Sequence, residues 1–413
     1  MVALLVALVA SVGCAPPAAA SNTVVWINVD GLRGDYPERA EATFLLQLAE
    51  EGASTKQLRP IFPSLTFPGH LAMATGRGVS GHGVTMNSYF DTADGEMHRF
   101  PADAKLVRAE GIWSTAARQG VRAAVVDWPM SHRQQDLTDF APAAYYGQKY
   151  DGSIEDADRI DNLLSVWTSD ESDTPLRLLM GYASEVDELG HREAIGSPAV
   201  LEAVREVDAL LRDAHARAIE QFEKTAGPDD ELYFIVSTDH GMAEVKTTID
   251  LEVMLESEWD DDLRYVRSGS VATLFLSGDE ATKPARIDAI MAKLENADGL
   301  DAWRTEDVPA EYEYSDPTRL GDIVLSATAG YSLSARGDQP YNAVPEDQPF
   351  STHGYPVDVE PGMNGFLVVW RYRHKLGGLD LGPVDQRRLH PTVTKLLDID
   401  PAPGVTVEPI SFP

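Results

Sequence analysis

Cys14 is the only cysteine in 413 residues, so no internal disulfide can form. Basic residues are scarce too: 34 Lys and Arg stand against 66 Asp and Glu, a formal net charge of −32 at pH 7. A chain so acidic excludes nucleic-acid binding through a basic surface. It also repels anionic substrates at long range. Any phosphate site must therefore be made locally positive, and bound metal ions are the obvious means. No apolar run is long enough to span a bilayer, and no repeat or low-complexity segment follows the N-terminal leader. What is present is an ordinary apolar content of 43%, enough for a sizeable core. The length suits one large α/β domain with an insertion, or two domains.

Residues 1–20 read as a leader. The apolar stretch 2–12 resembles a signal-peptide h-region, although the usual preceding Lys or Arg is missing. SVGC at 11–14 resembles a bacterial lipobox, which would make Cys14 a lipidated first residue, whereas AAA at 18–20 offers a cut before Ser21. The lone cysteine at the end of the run leans towards the lipid anchor. Either exit makes the mature protein an exported, periplasmic one, anchored to the membrane if Cys14 is the site.

Apolar runs VVWINV (24–29), AAVVDW (123–128), LRLLMGY (176–182), LYFIVST (232–238) and GFLVVW (365–370) read as buried strands. Helical patterns lie between them, at 41–52, 197–225 and 391–397. Strand–helix alternation predicts an α/β fold, a mostly parallel central sheet with helices on both faces. The composition changes at 247–335, which reads as a small inserted α+β subdomain. The catalytic core is then 21–246 with 336–413.

Ligands in open parallel sheets gather at the carboxyl ends of the strands. Asp30 follows the first strand, Asp239 and His240 follow LYFIVST, and Asp187 and His191 lie in ASEVDELGH after the third. His353 lies in STHGY. Any one of these has an ordinary explanation, such as a helix cap for an aspartate after a strand. Together, three aspartates and three histidines suit zinc, and six ligands are about right for two ions. Asp187 and His191, four apart, share a face if their segment is helical. Thr66 sits between Pro63 and Pro68 ahead of a helix-prone run. Its expected place is the N-terminal cap of that helix, where free N–H groups and the helix dipole favour an anion. Beside zinc its hydroxyl would be acidified into a nucleophile. Without the metal residues it would be only a cap.

NVDGLRGDY, FPSLTFPGH, ATGRGVSGHGVTMNSYFD, DELGH, STDHGM and THGY together resemble the nucleotide pyrophosphatase/phosphodiesterase family of the alkaline phosphatase superfamily. The resemblance runs in order from about 23 to 397, interrupted by the inserted segment. It implies an alkaline-phosphatase-like core and a two-zinc phosphodiesterase that works through a phospho-threonine intermediate. One zinc would be held by Asp30, Thr66, Asp239 and His240, and the other by Asp187, His191 and His353. Asn87 matches the family asparagine that hydrogen-bonds a non-bridging phosphoryl oxygen. A neutral amide there suits a diester, whose phosphoryl group carries one charge fewer than a monoester's.

Phe67 and Tyr182 match places where family members line a nucleobase slot, and Tyr145, Tyr146 and Tyr150 could add another wall. The chain departs from the family pattern at Gly69, where Asn is common, and at Leu65, where Lys is common. Both departures bear on pocket shape. The resemblance thus implies a small nucleotide-like phosphodiester as substrate and a nucleoside monophosphate as product. On the same fold, the alternatives are a lysophospholipid or glycerophosphocholine phosphodiesterase, or a phosphonate hydrolase. A sulfatase would need a Cys or Ser maturation signal that TFPGH lacks.

Overall fold

A computed structural model describes residues 21–412 apart from 148, 280, 335 and 336. The leader with Cys14 lies outside the described residues. Nine strands form the central sheet: β1 (Thr23–Val29), β2 (Ala53–Arg59), β3 (Arg122–Val125), β4 (Tyr145–Tyr146), β5 (Leu176–Ala183), β6 (Leu232–Ser237), β7 (Gly365–Arg371), β8 (Leu379–Asp380) and β9 (Val384–Asp385). Their order is β8-β2-β7-β6-β1-β5-β3-β4, with β9 also on β2. Strand β7 alone runs antiparallel to its neighbours, β2 and β6; the other pairings are parallel. The expected mostly parallel α/β sheet is therefore what the chain builds.

Alternation along β1 shows how the sheet is covered. Side chains of successive strand residues point to opposite faces. Val25, Ile27 and Val29 enter one core, with Phe44, Leu45 and Leu48 of α1 (Thr43–Glu51), and Ile160 and Leu163 from a helix over Asp156–Thr168. Val24 and Trp26 enter the other, with Met73 and Ala74 of α2 (Thr66–Thr75). A strand buried on both faces must read as a continuous apolar run, which is why β1 is TVVWINV. Helix α3 (Glu185–Gly190) follows β5, and α4 (Pro198–Glu223) lies over the first core.

An accessory module sits between β6 and β7. Its four-stranded antiparallel sheet takes the order Leu263–Ser268, Val271–Leu276, Ile323–Ala327, Leu300–Arg304. Helix Lys283–Leu294 packs on it through Ile290 and Leu294. A second small sheet joins Thr247–Asp250 to Tyr331–Ser334 and Tyr341–Ala343. Pairing therefore carries the module beyond 335, because its strand at 247–250 finds one of its two partners past that point. No helix of the described residues is long and apolar enough to cross a membrane.

Three histidines are built into the packing without ionic partners. Burial holds His82 down to about 3, and His215 and His390 to about 4. His215 sits edge-on to Trp370 at 4.2 Å, and His390 bonds the Ala74 carbonyl at 2.8 Å. A histidine with a depressed folded pKa adds stability above its unfolded value near 6.5. That contribution is lost as pH falls towards the folded value. Between pH 7 and 5 each is expected to cost about 2 kcal/mol of folding stability. Urea midpoints measured at both pH values, with a chelator present throughout, check this; equal midpoints would refute it.

Candidate active site

The parallel strands deliver the polar cluster at their carboxyl ends. Asp30 follows β1, Asp239 and His240 follow β6, and Asp187 lies in α3 after β5. The helical segment settles the spacing question: His191 follows α3 directly, and its Nε2 lies 3.4 Å from Asp187 Oδ2. His353 comes from the return of the accessory module, after a two-residue strand, Ser351–Thr352, that pairs with Ala243–Glu244. Gly31 has φ +66°, and a Cβ there would meet Asp187 Cα and Cβ at 3.0 Å. Only glycine lets the chain turn so close to the next strand's ligand.

The six ligand-type side chains meet. His240 Nε2 lies 3.4 Å from Asp30 Oδ1 and 3.1 Å from Asp239 Oδ2. His191 Nε2 lies 3.2 Å from His353 Nε2, which is 3.7 Å from Asp187 Oδ1. The His240 and His353 rings stack at 3.6 Å, so the two halves of the cluster are contiguous. Thr66 Oγ1 lies 3.4 Å from His240 Nε2 and 3.4 Å from Asn87 Nδ2.

These groups fit a cation. Asp30 Oδ1, Asp187 Oδ1 and Asp239 Oδ2 are buried without any hydrogen-bond partner, a costly state for a carboxylate. Each histidine turns Nδ1 to a backbone carbonyl: His191 to Ser351 at 3.1 Å, His240 to Gly241 at 2.9 Å, His353 to Ser64 at 3.0 Å. A carbonyl only accepts, so Nδ1 carries the proton and Nε2 presents its lone pair to the cluster. That is the arrangement of metal-ligating imidazoles. Two overlapping groups have ligand atoms close enough for an ion: Asp187, His240 and His353, and Asp30, Asp239 and His240.

Charge crowding perturbs the group strongly. Burial, then the Asp239 and Asp187 charges, push the Asp30 carboxyl well above its usual range. Burial pushes Asp187 up as well, but with no ion bound a protonated His191 outweighs it through its charge and hydrogen bond and holds the carboxyl at about 2. Burial lowers His353 to about 3. Tyr182 donates its hydroxyl to Asp30 Oδ2, and burial and the Asp30 charge keep that phenol protonated.

Three expectations are revised by placement. Thr66 is the first residue of α2, not its cap; Leu65 takes the extended cap position, and neither makes a side-chain cap bond. The N–H groups at the start of the helix are instead served by Asn87, whose Oδ1 accepts from the Phe67 N–H at 2.9 Å. That bond turns Nδ2 towards Thr66. Tyr146 stands on the edge strand with its hydroxyl on Gln135 at 3.1 Å, outside the cavity wall. Gly69 and Leu65 do not shape the pocket either: a Cβ on Gly69 would press on the Asp239 carbonyl at 2.9 Å, and Leu65 is core.

A cavity of about 480 Å³ opens over the cluster, walled by Thr66, Phe67, Asn87, Phe100, Tyr150 and Tyr182 among others. His70 and Asn28 are functional neighbours that sequence reasoning missed. Asn28 Nδ2 donates to His70 Nε2 at 2.9 Å, and His70 Nδ1 donates to the Thr66 carbonyl at 2.7 Å. His70 Nδ1 also lies 3.4 Å from Asp239 Oδ2. The one signal was the spacing of His70, four residues after Thr66 on a helix.

Comparison with known proteins agrees. Residues 24–356 match the family model described as type I phosphodiesterase / nucleotide pyrophosphatase. An uncharacterised pyrophosphatase/phosphodiesterase of Schizosaccharomyces pombe is 27% identical over 399 residues, covering 93% of this chain and 78% of that protein. Human ectonucleotide pyrophosphatase/phosphodiesterase 5 superposes with a TM-score of 0.78 at 21% identity, covering 94% of this chain and 97% of that one. Its murine counterpart, solved as an inactive threonine-to-alanine variant in complex with AMP, gives 0.75 at 20% identity, covering 94% of this chain and 97% of that one. By the extent of the family match, this chain belongs to the type I phosphodiesterase / nucleotide pyrophosphatase family.

Proposed function

We propose that the chain is an exported, two-zinc phosphodiesterase that hydrolyses nucleotide-type diesters and pyrophosphates to nucleoside monophosphates through a phosphate ester on Thr66. One observation carries this reading: Thr66 Oγ1 stands 3.4 Å from both His240 Nε2 and Asn87 Nδ2, at the edge of three partnerless carboxylate oxygens. Asp30, Thr66, Asp239 and His240 would hold one ion and Asp187, His191 and His353 the other. Bound there, they would acidify the Thr66 hydroxyl and neutralise charge on the phosphoryl and leaving oxygens.

The chain's own residues do the rest. The Thr66 oxygen forms a bond to phosphorus as the bond to the leaving oxygen breaks, and the proton of the hydroxyl leaves with the products. Water then attacks the threonyl phosphate, releasing the monophosphate and restoring the hydroxyl. Asn87, held by the Phe67 N–H, donates from Nδ2 to a non-bridging oxygen and supplies no charge, as a diester requires. His70 and Asn28 hold the Thr66 carbonyl and Asp239 in register. The inactive murine threonine-to-alanine variant with AMP supports both the nucleophile and the substrate class. Export rests on residues 1–20, with Cys14 as the candidate lipid anchor.

Charge at the rim favours nucleotides over choline esters. Arg99 and Lys149 line the cavity, and among the described residues neither has a carboxylate within 4 Å. Asp127 and Glu188 line the same cavity but face Arg159 and Arg192, so the two cations without a carboxylate beside them attract the further phosphates of a pyrophosphate-type substrate and repel a quaternary ammonium. With p-nitrophenyl-TMP and p-nitrophenyl-phosphocholine as a pair, kcat/KM is expected to be at least about 10-fold higher for the first, since one charge repulsion of this kind is worth about 1–2 kcal/mol. Preference for the choline ester would overturn the nucleotide reading.

A further inference from the structure

Five of the six ligand-type residues follow strands of the central sheet, directly or through α3. His353 does not. It follows a strand of only two residues, Ser351–Thr352, outside that sheet, so contacts with other segments must fix it. Two segments supply them. From the catalytic core, the Ser64 carbonyl accepts the His353 Nδ1–H at 3.0 Å, and Ser64 Oγ accepts the Gly354 N–H at 3.2 Å. From the accessory module, the Ser270 N–H donates to the His353 carbonyl at 3.0 Å. Ser270 belongs to a two-residue turn, Gly269–Ser270, between the module strands Leu263–Ser268 and Val271–Leu276. Gly269 has φ +57°, and glycine in the first position of such a turn matches the twist of a hairpin.

Turn chemistry explains that angle, but not the approach that goes with it. A Cβ on Gly269 would meet the His353 carbonyl oxygen at 2.3 Å and Leu65 Cδ2 at 3.3 Å. From the other side, a Cβ on Gly354 would meet Ser270 Oγ at 2.8 Å. The turn is itself anchored. The Ser270 carbonyl accepts the Ala327 N–H at 2.8 Å, and Val266 and Val271 share a core with Phe62 and Leu65, just ahead of Thr66. A fixed hairpin end therefore lies against a ligand that has no long element of its own. We propose that the accessory module positions the second metal site: its Gly269–Ser270 turn holds the His353 backbone. Gly269 is the positioning residue, because only the absence of a side chain lets the turn close on His353. This rests on the two-ion reading of the cluster. The aim of the His353 lone pair follows its backbone, and groups behind a ligand commonly change metal affinity by about 10–100-fold.

The test titrates the metal-stripped protein with zinc against a competing chromophoric chelator. Gly269→Ala is expected to weaken one of the two binding steps by at least about 10-fold and to spare the other. Gly278→Ala is the matched control. Gly278 lies just past the far end of the same hairpin, with φ +106°, and a Cβ there would come no closer than 3.5 Å to anything, the nearest atom being Asp262 Oδ2. It strains the module without pressing on His353, so both steps should stay as in wild type. An unchanged Gly269→Ala, a loss shared equally by both steps, or the same loss in Gly278→Ala overturns the positioning role. A second measurement uses wild type alone. Coupling is reciprocal: if the turn fixes His353 for zinc, zinc must fix the turn. Adding zinc to the stripped protein is expected to slow hydrogen exchange at the Ser270 N–H by about 10-fold and to leave the Gly278 end unchanged. Unaltered exchange at Ser270 in protein that has taken up zinc overturns the inference, even if Gly269→Ala fails to fold, and leaves the diesterase reading intact. Wild type that takes up no zinc overturns the metal reading, and this inference with it.

Discussion

Thr66→Ala is expected to abolish diester hydrolysis, lowering kcat by at least about 1,000-fold, since removing a nucleophile removes the whole covalent route. Folding should be nearly untouched. The Thr66 side chain caps nothing, and its contacts to His240 and Asn87 are long, at 3.4 Å each. Alanine also has the better helix propensity, so stability should shift by about 0.5 kcal/mol or less. Thr66→Ser keeps the hydroxyl and should retain measurable turnover. Steady-state assays with p-nitrophenyl-TMP, together with thermal melts, decide the matter. Full activity in Thr66→Ala would end the nucleophile assignment, whatever the cluster binds.

The second large effect concerns the cluster itself. Stripping the protein with a strong chelator is expected to abolish activity, and added zinc should restore it. The physical cause is visible without any ion: three buried carboxylate oxygens have no partner, and Asp30 is pushed up by burial and by its acidic neighbours. Keeping Asp30 ionised at neutral pH therefore opposes folding of the metal-free chain. An ion removes that cost. At 100 times its Kd, one bound ion adds about 2.7 kcal/mol, or about 3–6 °C in melting temperature for a chain of this size. Protons compete with it. His191 is also raised, burial opposing and the Asp187 charge prevailing, so acidification protonates ligands and weakens uptake. Calorimetry of the stripped protein with zinc at pH 7.5 and pH 6 would read both. Absence of any melting shift at either pH, with activity unaffected by chelation, would sink the metal reading.

Legibility in the sequence followed physical locality. Strands buried on both faces announce themselves as apolar runs, so β1, β5, β6 and β7 could be placed within a residue or two. Asp30, Asp239 and His240 could be found because a ligand at a strand's carboxyl end directly follows the run. Asp187 and His191 could be paired by their spacing of four. His353 had a weaker signal: it lies 113 positions after His240 in the numbering and follows no long apolar run, so its residue type in a glycine-containing STHGY segment pointed to it, and family resemblance gave it its partners. Tyr146 looked as good as Tyr150 because the sequence does not say which tyrosine the edge strand holds against Gln135. The Thr66 cap was misplaced by one residue because capping depends on Leu65 being extended, a backbone angle no residue type there dictates.

By itself the sequence determined the fold class, the acidic surface that calls for cations at any phosphate site, and the kinds of residue that gather at the strand ends. These follow from side-chain chemistry and from periodicities of two and 3.6, which are local. Only the tertiary structure decided that the six ligands meet. It also decided that His70 and Asn28 stand behind them, and that Asn87 faces Thr66 because its other end holds the Phe67 N–H. Those are contacts between segments far apart in the chain. Their distances depend on how the sheet, α2 and the accessory module pack together, and packing is a property of the whole chain rather than of any stretch of it.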